Sequence, residues 1–490
     1  MRQHYPPQPD LHLVPMEKIV LPLQSRDELP PLLAGLQWIW THPTLRAEIV
    51  ALLEAAILAD KQATGRRGMD LWQILVFGVV RLGLDANWDR LEDLAHHHTL
   101  IRQMLGVPAT PWGADAKVFA RQTLRDNVAL LDDALWQPIN ARVAAAGREV
   151  FAKKGGAPRA ALAVKVDPDV LETDVHFPTD LNRLWDAARK CVALIEKDRD
   201  HCHYVLPGWR KSRDWHRRLK ALERAASQAV YRGGANKETR VRHTVREYLA
   251  AATELSAKVQ ARLLGLCDQP LAGRDWEALA YFHGMLDQHR DLIARRRLRA
   301  ETIPAAEKGF SLFEPHTEWI AKGKQRPHVE LGHRLLIATD QHQLIQDDDV
   351  PVGGAEVDQS VPVADRLLAR YGAGSLASLS FDKGFTRTED RELLSLYVPT
   401  VVMPKRGKKN ADETAHESTP TFVALRRQHS AVESEINSLE HHGLNRCLDV
   451  GLAGYRRDVG FGVLSYNLHV IGRKLLARER ARADTVRQAA

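Results

Sequence analysis

The sequence predicts an α/β protein: a mixed sheet covered by helices on both faces, with one all-helical segment before its first strand and another inserted after it. Three observations lead there. From residue 329 onward, short apolar runs of strand character alternate with stretches of helical period. A lone strand signal ending in Asp167 stands far upstream of them. Everything before that strand, and nearly everything between it and residue 300, reads as helix.

In chain order, residues 1 to about 30 are Pro-rich and irregular, up to Pro30-Pro31. Thr44–Ala59 sets Ile49, Leu52, Leu53, Ala56 and Ile57 on one helix face. Met69–Val80 is apolar nearly all round, the pattern of a buried helix. Short helices follow over Leu91–Gly106, then a longer one over Asp126–Ala146 with Leu130, Leu131, Leu135 and Ile139 inward. Gly155-Gly156-Ala157-Pro158 breaks the pattern as a linker. Ala161–Asp167 is a short strand closing on a carboxylate. Helical period resumes from Pro178 to Arg299, with breaks near Gly208, Gly233-Gly234 and Pro270–Gly273. Strands are expected at Val329–Thr339, Gln343–Val350, Ser375–Phe381 and Val398–Met403, with helices Ser360–Tyr371 and Thr388–Leu396 between them. A charged loop, Lys405–Asn410, precedes helices at Ser430–His442 and Gly462–Arg482. The expected domains are a helical one over 1–150, an α/β core over 160–188 and 300–490, and a basic helical insertion over 189–299.

The chain has 490 residues, 44% hydrophobic and 27% charged, which describes a globular protein with a sizeable core. Its longest apolar run, Leu71–Val80, is about half the roughly 20 residues a membrane span needs. The amino terminus lacks the pattern of a secretory signal, and four scattered cysteines form no CxxC pair, so a cytoplasmic protein with no membrane partner is expected. The net charge is +7 and unevenly spread. Arg189–Ala300 carries 24 Lys and Arg against 13 Asp and Glu, so that segment alone is +11 and the remainder −4. An anionic partner docked there, or a solvated helical surface, would each account for the excess.

Asp382 ends an apolar strand and is followed by Gly384, which allows a sharp turn. The carboxyl ends of strands are where α/β folds place their active sites, and Asp167 holds the same kind of position. Taken singly, either aspartate also serves as a turn former or helix cap. Clustered acids suit phosphoryl transfer on DNA. Two Mg²⁺ ions about 3.5–4 Å apart stabilise the attacking and leaving oxygens, and Mg²⁺ prefers hard carboxylate oxygens. The chain contains no GxxxxGK[ST] loop, HExxH or GxSxG, so no nucleotide or organic cofactor is expected.

Several blocks together resemble bacterial insertion-sequence transposases of the acidic-triad (DDE) class, in the group often filed as unclassified insertion sequences. Gly68–Leu75 and Arg81–Leu94 resemble their amino-terminal helical domain. Val166-Asp167, continuing through Asp174, His176, Pro178 and Asp180, resembles the strand bearing their first aspartate. Phe313–Ile320, Gly323-Lys324 and Glu330–His333 resemble a core hairpin, and Phe381–Phe385 the second aspartate. His429–Glu433, followed by Gly443–Arg446, resembles the glutamate helix. The resemblance implies a ribonuclease-H-like core and a catalytic, metal-holding triad of Asp167, Asp382 and Glu433. It further implies two Mg²⁺ ions with Mn²⁺ a substitute, and cleavage and strand transfer at terminal inverted repeats. The partners would be double-stranded DNA of the element ends and target, bound by a homodimer or higher oligomer at the nucleoid. One departure stands out: relatives often carry a Lys or Arg seven residues after the glutamate, where this chain has Glu440. The missing base would come from Arg426, Arg427 or Arg446, or be absent.

Glu433 also completes a capping box with Ser430, and Glu435 and Glu440 are rivals for the third acid. Trp209 and Trp215 lie among Arg210, Lys211, Arg213, Arg217, Arg218 and Lys220, either to bind DNA or to pack within the helices. Lys324 and the loop cations Lys405, Arg406, Lys408 and Lys409 are the other expected phosphate contacts, a solvated loop being the plain alternative. His96-His97-His98 and His201-Cys202-His203 lack zinc-ligand spacing and read as polar surface. The competing functions are a nuclease that cuts without rejoining and a catalytically inactive or domesticated DNA-binding relative.

Overall fold

The computed structural model describes residues 13–58, 68–109, 119–152, 161–202, 209, 211–264, 273–304, 307–321, 329–430 and 432–489. The chain divides into two compact units, Met1–Asp174 with Ile320–Ala490, and Val175–Trp319.

The first unit begins with α1 (Leu29–Thr41), α2 (Pro43–Leu58), α3 (Leu71–Gly83), α4 (Trp88–His97), α5 (Thr99–Met104), α6 (Arg121–Val128) and α7 (Asp133–Phe151). Every residue of α3 is buried, as its all-round apolar sequence requires, and Asp70 caps it by accepting the Trp72 amide at 2.8 Å. The single helix expected over 126–146 is two. The chain breaks after Val128, and Asp132 takes the extended N-cap conformation of α7.

β1 (Leu162–Thr173) then enters the sheet and the chain leaves for the second unit. There α8 (Asp180–Cys202), α9 (Ser212–Tyr231), α10 (Lys237–Leu263) and α11 (Gly273–Ile293) enclose a core that includes Leu184, Val192, Leu219, Tyr248, Leu255 and Leu286. This unit is wider at both ends than the insertion read from sequence, because α8 belongs wholly to it.

The sheet resumes with β2 (Glu318–Ala321), β3 (Val329–Thr339) and β4 (Ile345–Asp349). Then come α12 (Ser360–Tyr371), β5 (Leu376–Phe381), α13 (Thr388–Ser395) and β6 (Thr400–Val402). The chain ends with α14 (Ala411–Glu417), α15 (Pro420–His429), α16 (Val432–Leu439), β7 (Arg446–Cys447) and α17 (Gly451–Ala489). The strand order is β2-β3-β1-β5-β6, with β4 also on β3 and β7 on β1. The sheet is open and mixed: β3 runs antiparallel to β1 and β4, while β5 runs parallel to β1 and β6.

Alternation along β3 divides the two faces. Leu336 and Ala338 join Val164, Val166, Leu379 and Phe381 in a core under α12. Leu335 and Ile337 face Leu439, Tyr455, Val459 and Val463 of α16 and α17. The amino-terminal helices do not form a core of their own. Phe461, Leu464, Leu468 and Ile471 of α17 complete it together with Leu33, Ile74, Phe77 and Ile139, so the segment expected as a separate 1–150 domain shares a unit with the sheet.

Candidate active site

The register of β1 against β5 puts the two aspartates side by side. Val166 pairs with Phe381, the last partners of this parallel ladder, so Asp167 and Asp382 are the next residues on strands about 4.8 Å apart. β1 does not end at Asp167 as its sequence implied. It continues to Thr173, antiparallel to β3 as far as Glu172, with Asp167 opposite Ile337. The aspartates meet because β5 stops. Asp382 is exposed, and its backbone carbonyl accepts the Phe385 amide in the tight turn Lys383–Phe385.

Gly384 in that turn has ordinary backbone angles, so the sharp-turn role expected of it does not apply. What it supplies is room. A Cβ at this position would lie 2.2 Å from Oε2 of Glu356, which the turn Glu356–Gln359 lays against it. The other carboxylate oxygen of Glu356 pairs with Arg334 Nε at 3.3 Å.

Asp167 and Asp382 line one cavity of about 650 Å³, together with Asp169, Glu356, Glu440, Asn437, Arg334 and Arg406. Five carboxylates thus face two guanidiniums. Asp169, Glu356 and Arg334 were not foreseen. Asp169 follows Asp167 by two on the same strand face and could have been found by continuing the alternation; nothing in the sequence links Glu356 to the site.

Glu435 and Glu440, the two described glutamates of the α16 region weighed as the third acid, have separate roles. Glu435 is 2% exposed and accepts hydrogen bonds from Lys165 Nζ and Thr339 Oγ1, both at 2.6 Å, which fastens the helix to β1 and β3. Glu440, at the start of the π-turn Glu440–Leu444, lines the cavity with Ile436 and Asn437. Position 433 precedes Ile436 and Asn437 by one helical turn on the same face, but its side chain lies outside the described residues. Ser430 does not take the N-cap position expected of it. Ser430 ends α15 instead, and its hydroxyl donates to the Arg427 carbonyl at 2.6 Å. Its neighbour His429 places Nδ1 3.1 Å from Ser380 Oγ, and burial holds the imidazole below its usual range against the pull of the Asp382 carboxylate.

Of the loop cations, Lys405 and Lys409 are tied to Glu413 and Glu417 of α14 at 2.6 and 2.5 Å, Lys408 is exposed, and Arg406 faces the cavity. In the helical unit Arg217 pairs with Asp214, Arg218 with Glu254 and Lys220 with Glu223, the last two at 2.8 Å. Lys211 and Arg213 are exposed at the start of α9. Trp209 and Trp215 are core residues, which removes base stacking as their role. Arg210, Lys324 and the side chains of His201, Cys202 and His203 lie outside the described residues. The histidines 96–98 do separate jobs: His96 accepts the Phe119 amide, His97 faces Asp93, and His98 caps α5.

Among the described residues no three His, Cys, Asp or Glu side chains stand at metal-holding distance. No described helix is long and apolar enough to cross a membrane. No protein-family model, curated protein or solved structure matches the chain.

Proposed function

We propose that the chain is a DNA transposase of the acidic-triad class, cleaving and rejoining strands at the terminal inverted repeats of an insertion sequence. One observation carries the reading: Asp167 and Asp382, far apart in sequence, follow the last paired residues of adjacent parallel strands and open into one cavity. The chain order of strand, helical insertion, hairpin, helix, strand, helix, strand and helix, with mixed directions about β1, agrees with a ribonuclease-H-like core.

The donor set fits Mg²⁺. All five acids offer hard oxygen ligands, and a cavity so acidic would repel a phosphodiester unless divalent cations reversed its charge. Asp167 and Asp382 would hold the ions, with Glu433 or Glu440 of the α16 face as the third acid. Two bound Mg²⁺ ions would stabilise the attacking and leaving oxygens of an in-line displacement at phosphorus. Arg406 and Arg334 orient the scissile phosphate through its non-bridging oxygens, and Glu435 and Lys165 hold α16 against the sheet so that its outer face stays at the cavity. The proposed partners are duplex DNA, gripped in part by α9, and further copies of the chain on paired ends.

The test uses a DNA fragment carrying the sequences that flank the gene. With Mg²⁺, the protein should nick it at fixed positions and join the ends to a target. Asp167→Ala and Asp382→Ala should each abolish cleavage and retain DNA binding. Cleavage by both variants at wild-type rates would sink the assignment, and cutting without joined products would mark a nuclease instead.

A further inference from the structure

A second cavity, about 300 Å³, lies where β4 meets α7 and α17, away from the two aspartates. Its distinguishing feature is Asp348. Along β4, Asp347 and Asp349 point to α12, where Arg366 reaches both and Arg370 reaches Asp347. Alternation turns Asp348 to the other face, where it is only 9% exposed and no side chain or backbone donor among the described residues reaches its carboxylate. Trp136 also lines the cavity and is 2% exposed, its ring packed against Phe461 of α17. Gln137 gives its amide to the Asp348 backbone carbonyl at 3.4 Å, which leaves its side-chain oxygen as an acceptor. Val350 and Val459 supply apolar wall. Arg456 lines the cavity as well and is engaged by a partner.

A buried carboxylate without a donor is costly, so this cavity is matched to a ligand that brings positive charge and N–H groups. Asp348 and the Gln137 side-chain oxygen offer acceptors for the N–H groups of a primary ammonium. The valines supply contact for methylenes. A divalent metal is a poorer match, since no third acid or histidine is within reach among the described residues. We propose that this cavity binds an aliphatic primary ammonium group, the aminoalkyl end of a diamine or polyamine. The site does not depend on the transposase reading. Because its lining comes from α7, β4 and α17, an occupant joins the amino-terminal helices to the sheet edge and stabilises the folded unit by mass action.

Desolvation, reinforced by Asp347, pushes the Asp348 carboxyl up to about 7. The charges around it are Asp347, Asp349, Arg366, Arg370 and Arg456, and the arginines oppose the shift only in part. Ammonium binding should therefore tighten as pH rises from about 6 to about 8.

The experiment is calorimetric titration of the full chain, without DNA or metal, with putrescine and with n-butylammonium, alongside thermal melts. Saturable binding of both probes is expected, with a rise in Tm that grows with probe concentration. Asp348→Asn, nearly isosteric, should weaken binding at least tenfold, and Gln137→Leu several-fold. Asp382→Ala should bind as the wild type does. Undiminished binding to Asp348→Asn, no saturable binding to the wild type, or affinity that falls as pH rises would each overturn the proposal. So would a Tm rise with Mg²⁺ alone that disappears in Asp348→Asn, because the cavity would then be a metal site.

Discussion

Glu433, Glu435 and Glu440 follow one another along α16 and the turn after it, and of the two whose side chains are described, Glu435 has a role complete within the fold. Its carboxylate holds Lys165, itself 13% exposed, and replacing it with alanine leaves that ammonium buried and unpaired. Glu435→Ala should lose about 3–5 kcal/mol in a denaturant titration, and Lys165→Met together with Glu435→Leu should recover most of it. Glu433→Gln and Glu440→Gln should keep their stability. Whichever of the two loses cleavage is the third acid, and full cleavage by both variants would refute a triad completed from this helix. Asp348 yields a second residue-scale prediction through pH. Its folded value lies above the ordinary 3.8, so the stability it contributes as a neutral acid is complete below about 4 and is lost as pH rises toward 7. In amine-free buffer Asp348→Asn should match the wild type near the acid end of that window. Above it, the variant should be more stable by a few kcal/mol, on the order set by a shift of this size. Equal stability across the window would mean the carboxylate finds a donor in solution.

At the scale of elements, the junction of the Glu356–Gln359 turn with the Lys383–Phe385 turn decides where Asp382 stands. Gly384→Ala forces the Glu356 carboxylate away from a Cβ that would sit 2.2 Å from it, and with it the pairing to Arg334. The contact is with the end of a flexible, partly exposed side chain, so the expected cost is about 1 kcal/mol or less, together with slower cleavage. Adding Glu356→Ala should restore stability, and a purely additive double mutant would show that the two turns do not press on each other. Much of this frame was legible in the sequence. β3 and α12 have the bounds expected from their apolar patterns, because a central strand and a helix with one sharp buried face each leave a clean period. β1 was cut short because Asp167, Pro168 and Asp169 interrupt its apolar run, although the ladder to β3 continues unbroken through them. α14 and α15 went unseen because Phe422 is their only fully buried side chain. The neighbouring aspartates could be suspected but not paired from sequence, since pairing depends on which strands adjoin. The amino-terminal helices looked independent because the residues completing their core lie in α17, at the opposite end of the chain.

For the molecule as a whole, the governing feature is charge. Arg189–Ala300 is +11 and the rest of the chain −4, but many cations of the helical unit already have acidic partners. Those partnerships differ in how readily they would exchange. Arg217 and Asp214 are 80% and 51% exposed, and Arg218 and Glu254 52% and 47%, so each pair is worth about 0–1 kcal/mol and yields readily to a phosphate. Lys220 is held by Glu223, which is 5% exposed; removing its ammonium strands a buried carboxylate, so this cation should stay. If α9 grips duplex DNA, the slope of log affinity against log salt should flatten by about 0.9 for each phosphate that is no longer neutralised. Arg217→Gln and Arg218→Gln should each produce that change, whereas Lys220→Gln should mainly lower the melting temperature. The acids supply the converse. Asp214→Asn and Glu254→Gln free the same guanidiniums and should raise affinity at low salt, with sequence preference unchanged, because phosphate contacts carry no base readout. Slopes indifferent to all four substitutions at Arg217, Arg218, Asp214 and Glu254 would return α9 to ordinary solvated surface and place the DNA grip elsewhere.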